Sequence, residues 1–268
     1  MKQKIGFACD TCDRPSKERL PVVGEPTVPR KSVVQVQFPG RGMTLAYYND
    51  RFDLHVGDFV YVDGKLEGQQ GRVAEVNYNF KINLTQYKRV IAVANTAVRG
   101  QFCFADSHFV TFDRHALPKE QARTWFMAPT AEDEETVVGN DDTGFRLDDL
   151  SGMHVSLTTY ERGRDYYADN RVVYLCLDED RGYAIVNGSA PYEVEFQYRD
   201  GEISRLTCTC FCGGRCKHQV AVLLQLRDLL AKIEKDYPEH HNGYCSAVVK
   251  SAFFCYAVAS KPTGSIVL

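Results

Sequence analysis

The tightest constraint on this chain is the run LTCTCFCGGRCKHQV, which gathers Cys208, Cys210, Cys212, Cys216 and His218 within eleven residues. Cys208 and Cys210 stand one residue apart, as do Cys216 and His218. Between the pairs lie Gly213 and Gly214, and glycine accepts the backbone angles that a tight turn demands. Thiolate and imidazole are the ligands zinc prefers, and a Cys3His set closes a tetrahedral shell at about 2.3 Å (S) and about 2.0 to 2.1 Å (N). A closed shell leaves no position for an activated water. The pattern therefore points to a structural Zn2+ on Cys208, Cys210, Cys216 and His218, supplying folding energy rather than Lewis-acid chemistry. Cys212 stands as the alternative to Cys208 or Cys210 if the local backbone turns differently.

The surroundings of this cluster have a regular pattern. After His218, the run QVAVLLQLRDLLAKIEKDY holds no Gly or Pro, and Val220, Leu223, Leu224 and Leu230 recur at helical spacing. This predicts a helix of about five turns. Ahead of the cluster, VVYLCL, GYAIVNG and PYEVEFQYR read as strands, and before them comes the arginine- and tyrosine-rich stretch YERGRDYYADNR.

Cys-x-Cys, a loop, then Cys-x-His running into an apolar helix resembles the SWIM zinc finger, and YERGRDYYADNRVV followed by GYAIVNGSAPYEVEFQY extends the likeness from about Tyr160 to Leu230. Two features depart from that pattern. Only five residues separate the ligand pairs, and Phe211-Cys212 follows Cys210 where a proline-led loop is expected. The resemblance implies zinc binding coupled to nucleic-acid or protein interaction, in settings that include helicase-like ATPases, transposase-like proteins and plant regulators. It implies no single reaction.

The N-terminal half reads differently. Residues 1 to 30 carry Pro15, Pro21, Pro26 and Pro29 without sustained periodicity, as an extended arm does. From Lys31 to about Phe112, short runs rich in Val, Tyr, Phe and Thr (VVQVQF, MTLAYYN, DFVYVDG, GRVAEVNY, RVIAVAN, HFVTFD) are separated by Gly, Asn and Asp, as in a small β-domain. LHVGDFVYVDG followed by GQQGRVAEVNY resembles SH3-like or primosomal-helicase N-terminal β-barrels. Pro118 suits the first position of a short helix through PKEQARTWFM. The acids between Thr130 and Asp149 read as a solvated linker.

These readings assemble into an α+β, β-rich chain. Residues 1–30 form an arm, 31–127 a β-barrel-like domain, 128–150 an acidic linker, 151–236 a SWIM-type domain of antiparallel strands plus one helix, and 237–268 a C-terminal extension. Ten cysteines without an apolar leader fit a reducing, cytoplasmic setting, where clustered thiols hold metal. No apolar run reaches the roughly 20 residues that span a bilayer.

The formal charge of −3 gives no long-range attraction for phosphate, so contact with DNA or RNA must come from a local patch. Arg162, Arg164, Arg171, Arg205, Arg215 and Lys217, near Tyr160, Tyr166 and Tyr167, supply the mixture that neutralises phosphates and stacks on bases. The expected function is a non-catalytic accessory protein that binds nucleic acid through the zinc module. The alternative is an adaptor with a purely structural zinc site and a protein partner. No phosphate-binding loop, H-E-x-x-H pair or G-x-S-x-G elbow supports catalysis. Cys9-x-x-Cys12 has half the spacing of a second metal site, but Cys103, Cys176, Cys245, His240 or His241 would have to fold back to complete it.

Overall fold

A computed structural model describes residues 4–5, 29–100, 102–104, 109–110, 116–129, 139, 143–240 and 245–258. Cys9, Cys12, His241 and most of the acidic run lie outside the described residues. The chain divides into two compact units: one of Ala8–Asn95 with Met127–Thr130, the other of Met1–Phe7, Thr96–Phe126 and Ala131–Leu268.

The first strand, β1 (Lys4–Ile5), belongs to the second unit. The first unit is built from β2 (Ser32–Phe38), β3 (Met43–Asn49), β4 (Phe59–Val62), β5 (Gln70–Asn77) and β6 (Val90–Val93). They hydrogen-bond in the order β3-β2-β5-β4-β6, every neighbouring pair antiparallel. The two-residue period of a strand puts Val34, Val36 and Phe38 on one face. There they bury together with Tyr47, Val60, Val62 and Val73. Gly71 makes that packing possible, since a Cβ on it would lie 2.3 Å from Val36 Cγ1 and 2.9 Å from the Phe38 ring.

The expected barrel does not close. Among the described residues no ladder joins the edge strands β3 and β6. The edges meet at one isolated parallel bridge, Tyr48 with Arg89, where the Tyr48 N–H donates to the Lys88 carbonyl at 2.9 Å. Strand β6 has four residues against seven in β3, too few to extend that bridge into a ladder.

The second unit contains β7 (Phe102–Cys103), which pairs with β1, then β8 (Phe109–Val110), α1 (Lys119–Phe126), β9 (Phe145–Arg146) and α2 (Leu157–Ala168). There follow β10 (Val172–Asp178), β11 (Arg181–Asn187), β12 (Pro191–Arg199), β13 (Glu202–Cys208), α3 (Lys217–Asp236), β14 (Cys245–Val249) and α4 (Lys250–Phe253). A seven-stranded antiparallel sheet runs β8-β14-β10-β11-β12-β13-β9. Its centre, β10 and β11, is buried almost throughout, which is why VVYLCL and YAIV are continuous apolar runs rather than alternating ones.

Three features differ from the sequence expectation. Residues 96–126 join this unit and not the N-terminal sheet. The run HFVTFD supplies β8, whose Phe109 and Val110 face Val249 and Val248 of β14 and are buried. Part of the acidic stretch is structured, since Phe145 and Arg146 form the edge strand β9 against Ile203 and Glu202.

The zinc module also has two helices instead of one. YERGRDYY lies in α2, capped by the Ser156 hydroxyl accepting from the Thr159 N–H at 3.1 Å. The helix forms without an apolar stripe of its own because Gly163 lets it approach α3 closely. A Cβ there would fall 2.5 Å from Val220 and 2.9 Å from the Lys217 carbonyl. No helix of the described residues is long and apolar enough to cross a membrane.

Candidate metal centre

Cys208 is the last residue of β13, and Cys216 is the N-cap of α3. Between strand end and helix start the chain turns through residues 209–215, which carry Cys210, and the first helical turn presents His218. The Cys216 N–H donates to Gln219 Oε1 at 2.8 Å while the Gln219 N–H is directed at Cys216 Sγ. This reciprocal capping fixes where the helix starts, and with it the position of two ligands.

The ligand atoms of Cys208, Cys210, Cys216 and His218 all lie within 4.8 Å of one another. His218 Nδ1 is 3.7 Å from Cys208 Sγ and 3.8 Å from Cys216 Sγ. A tetrahedron with the usual zinc bond lengths has edges of about 3.6 to 3.8 Å. The donor set therefore fits Zn2+ in both chemistry and spacing, and Nδ1 is the imidazole atom that faces it. Cys212 is exposed and is not part of the cluster. The sequence alternative in which it replaces a ligand is not the arrangement adopted.

Packed this closely, the thiols compete for charge. The hydrogen bond from Cys208 pulls the Cys216 thiol down to about 4, with further bonds from His218 and the Gln219 N–H helping. Donating that bond, together with burial, pushes Cys208 far above the ordinary thiol range. Burial lifts Cys210 to about 11. Only a bound cation lets all three ionise together, so zinc binding must displace protons.

The ring of His218 is held by aromatic contacts. Tyr192 stacks on it at 4.3 Å and 20°, and Tyr166 meets it edge-on at 5.4 Å. Among the described residues its buried Nε2 has no hydrogen-bond partner, and the contacts that hold the ring are those of the two tyrosines. The role of Tyr192 has no local sequence signature, because two residues that meet through a sheet and a turn share no fixed spacing.

The six basic candidates do not form one cluster. Arg162 and Arg164 are exposed on α2, on either side of Gly163, and Lys217 Nζ sits 4.4 Å over the Tyr166 ring. Arg215 is turned into the protein. It donates to the Gly152 carbonyl at 3.0 Å and to the Thr143 carbonyl and hydroxyl, and it lies 4.9 Å over Phe145, pinning residues 143–153 to the loop. Arg171 is 3.9 Å from Asp169 and lines a small hollow with Asn187 and Lys250.

Arg205 sits at a bulge in β13 with φ +50° and lines a separate cleft of about 720 Å3 beside Lys119, Asp178, Arg181 and Gln197. Tyr167 donates to Asp228 of α3, and Tyr160 is half-buried. Phe211, noted in the sequence only as a departure from the proline-led loop, stands out instead: it is at 107 % relative exposure in the loop between the ligand pairs.

Comparison with known proteins matches residues 192–227 to the family model described as SWIM zinc finger. That span runs from the tyrosine stacked on His218, through all four ligands, into α3. No curated protein and no solved structure matches the chain, and the likeness of the N-terminal runs to small β-barrels finds no support. The closed Cys3His geometry and the family match agree: the chain carries a SWIM zinc finger at residues 192–227, with Zn2+ held by Cys208, Cys210, Cys216 and His218.

Proposed function

We propose that this chain is a non-catalytic accessory protein whose zinc module binds nucleic acid. The metal serves as a staple. Four protein ligands complete the tetrahedral shell, so the ion joins the end of β13 to the start of α3 and leaves no position for a substrate or reactive water. The observation that carries the binding reading is that Arg162 and Arg164 are exposed on the two flanks of α2, one on either side of the buried Gly163, with Lys217 at the first position of α3 next to two zinc ligands. The short approach of α2 to α3 at Gly163 fixes these cations relative to the metal centre.

The test is a titration of the zinc-loaded protein with DNA and RNA at several salt concentrations, beside Arg162→Ala, Arg164→Ala and Lys217→Ala. Each cation that touches phosphate should lower the slope of log affinity against log salt by about 0.7 to 0.9. Affinity no tighter than about 10⁻⁴ to 10⁻⁶ M at physiological salt, unchanged in the variants, would refute the reading.

A second reading, a protein adaptor, is favoured by one specific observation. Arg215 and Arg171 have acceptors within the protein, while the acids Glu161 and Asp165 interleave with the α2 arginines. Partner capture that does not respond to salt is its signature.

A further inference from the structure

We infer that the loop between the zinc ligand pairs selects single-stranded over duplex nucleic acid, with Phe211 as the residue on which an unpaired base stacks. This rests on the nucleic-acid reading above and adds to it the form of the strand and the contact that recognises it.

Phe211 is the most exposed of the large apolar side chains among the described residues, at 107 % against 74 % for Leu157 and 65 % for Val56. Single exposed apolar residues are ordinary on protein surfaces. What sets this one apart is its mounting. The loop is bounded by the ligands Cys210 and Cys216, so when the metal is held both ends of a five-residue segment are fixed. Arg215 adds a further anchor through its bonds to Gly152 and Thr143. On the far side, built Cβ positions on Gly213 and Gly214 meet nothing within 4 Å, so no protein wall stands against the loop there. The ring is therefore presented to solvent by a pre-organised support, which lowers the ordering cost of a contact made there.

The chemistry of the side chain decides what it can recognise. Phenylalanine has no donor or acceptor and cannot hydrogen-bond to base edges in a groove. Its π face can stack on the flat face of a base. Bases in a duplex present their edges and cover their faces with their neighbours, whereas a single strand offers faces that stack on aromatic side chains irrespective of sequence. Lys217, next to Cys216 and held over Tyr166, puts a positive charge at the base of the same loop. An aromatic platform beside cations is the combination that tracks a single strand.

The experiment uses the zinc-loaded full chain and fluorescently labelled oligonucleotides of one length, as single-stranded DNA, single-stranded RNA and duplex DNA, with Phe211→Ala and Phe211→Trp alongside the parent. Stacking on one base is worth about tenfold or more in affinity. Phe211→Ala should lose about that much on single strands, with duplex affinity, salt slope and zinc content unchanged, while Phe211→Trp keeps single-strand binding. Equal loss on both forms, or no loss on either while the parent still binds, overturns the inference and leaves the nucleic-acid reading standing. If the parent binds neither form beyond the non-specific range, that reading fails, and the inference fails with it.

Discussion

In the N-terminal sheet, Val34, Val36, Phe38, Val60 and Val73 hold the strands together by excluding water; that core has no ion to extract, and burial holds the phenol of its Tyr47 above its ordinary value, far from neutral pH. The zinc module puts a different kind of core at the end of its sheet, where three thiols and an imidazole are brought within 4.8 Å of one another, two of the four buried. Without a cation such a cluster is opposed by burial and by mutual repulsion, as the raised thiols of Cys208 and Cys210 show. The first core gains its stability from sequence alone. The second depends on an ion and on pH.

The largest effect expected from that contrast follows removal of one ligand. Structural zinc contributes about 10 to 16 kcal/mol to small metal-folded modules, comparable to the whole stability of a domain at about 5 to 15 kcal/mol. Cys208→Ser or His218→Ala should therefore abolish zinc binding and expose the amides of β13 and the first turns of α3 to hydrogen exchange. Strands β2 to β6 should keep their protection. Native exchange in both units with full zinc content would show that these residues are not ligands.

Acid provides a graded form of the same test. In the folded cluster Cys216 already sits at about 4, whereas Cys208 and Cys210 lie above neutrality. Zinc binding near pH 7 must then expel about two protons, so its affinity should climb about a hundredfold per pH unit across neutral and mildly alkaline conditions. The sign is fixed by the raised thiols. Protons hold them below their folded values, and the stability that zinc lends is lost as pH falls. The N-terminal sheet should show no matching dependence. Calorimetric zinc titrations in buffers of different ionisation enthalpy count the protons, and a count near zero would contradict the shared-charge picture.

The same contrast governs what could be read from the sequence. The zinc ligands were legible because a Cys3His set leaves its signature in eleven consecutive residues, and α3 because an unbroken apolar period runs through QVAVLLQL. Tertiary consequences were not. Helix α2 has no apolar stripe and owes its place to Gly163 against Val220, a contact made across 57 residues of chain. Phe109 and Val110 look like any other strand residues of the N-terminal run, yet they pair with β14 at the other end of the chain. The failure of the barrel to close turns on the length of β6, and strand ends are poorly fixed by local pattern. Arg215 shows the same limit in the site itself. A list of basic residues cannot distinguish a guanidinium facing solvent from one that binds the Gly152 and Thr143 carbonyls.

A matched pair of glycine substitutions gives the smallest and sharpest comparison of the two regions. Gly71→Ala would put a methyl 2.3 Å from Val36 Cγ1 in the N-terminal core, and Gly163→Ala one 2.5 Å from Val220 at the α2–α3 contact. Both distances are below any that packed carbon atoms tolerate, and overpacking of this kind costs about 1 to 3 kcal/mol. The consequences should differ. Gly71→Ala should lower the denaturation midpoint of its own unit and leave zinc affinity untouched, because all four ligands belong to the other unit. Gly163→Ala pushes α2 away from α3, and α2 carries Tyr166, which abuts both His218 and Lys217. It should therefore weaken zinc binding as well as stability. Chelator competition measures the first quantity and urea denaturation the second. If Gly163→Ala lowered stability with zinc affinity unchanged, the α2–α3 contact would be scaffolding independent of the metal, and the zinc-dependent region would end at β13, the loop and α3.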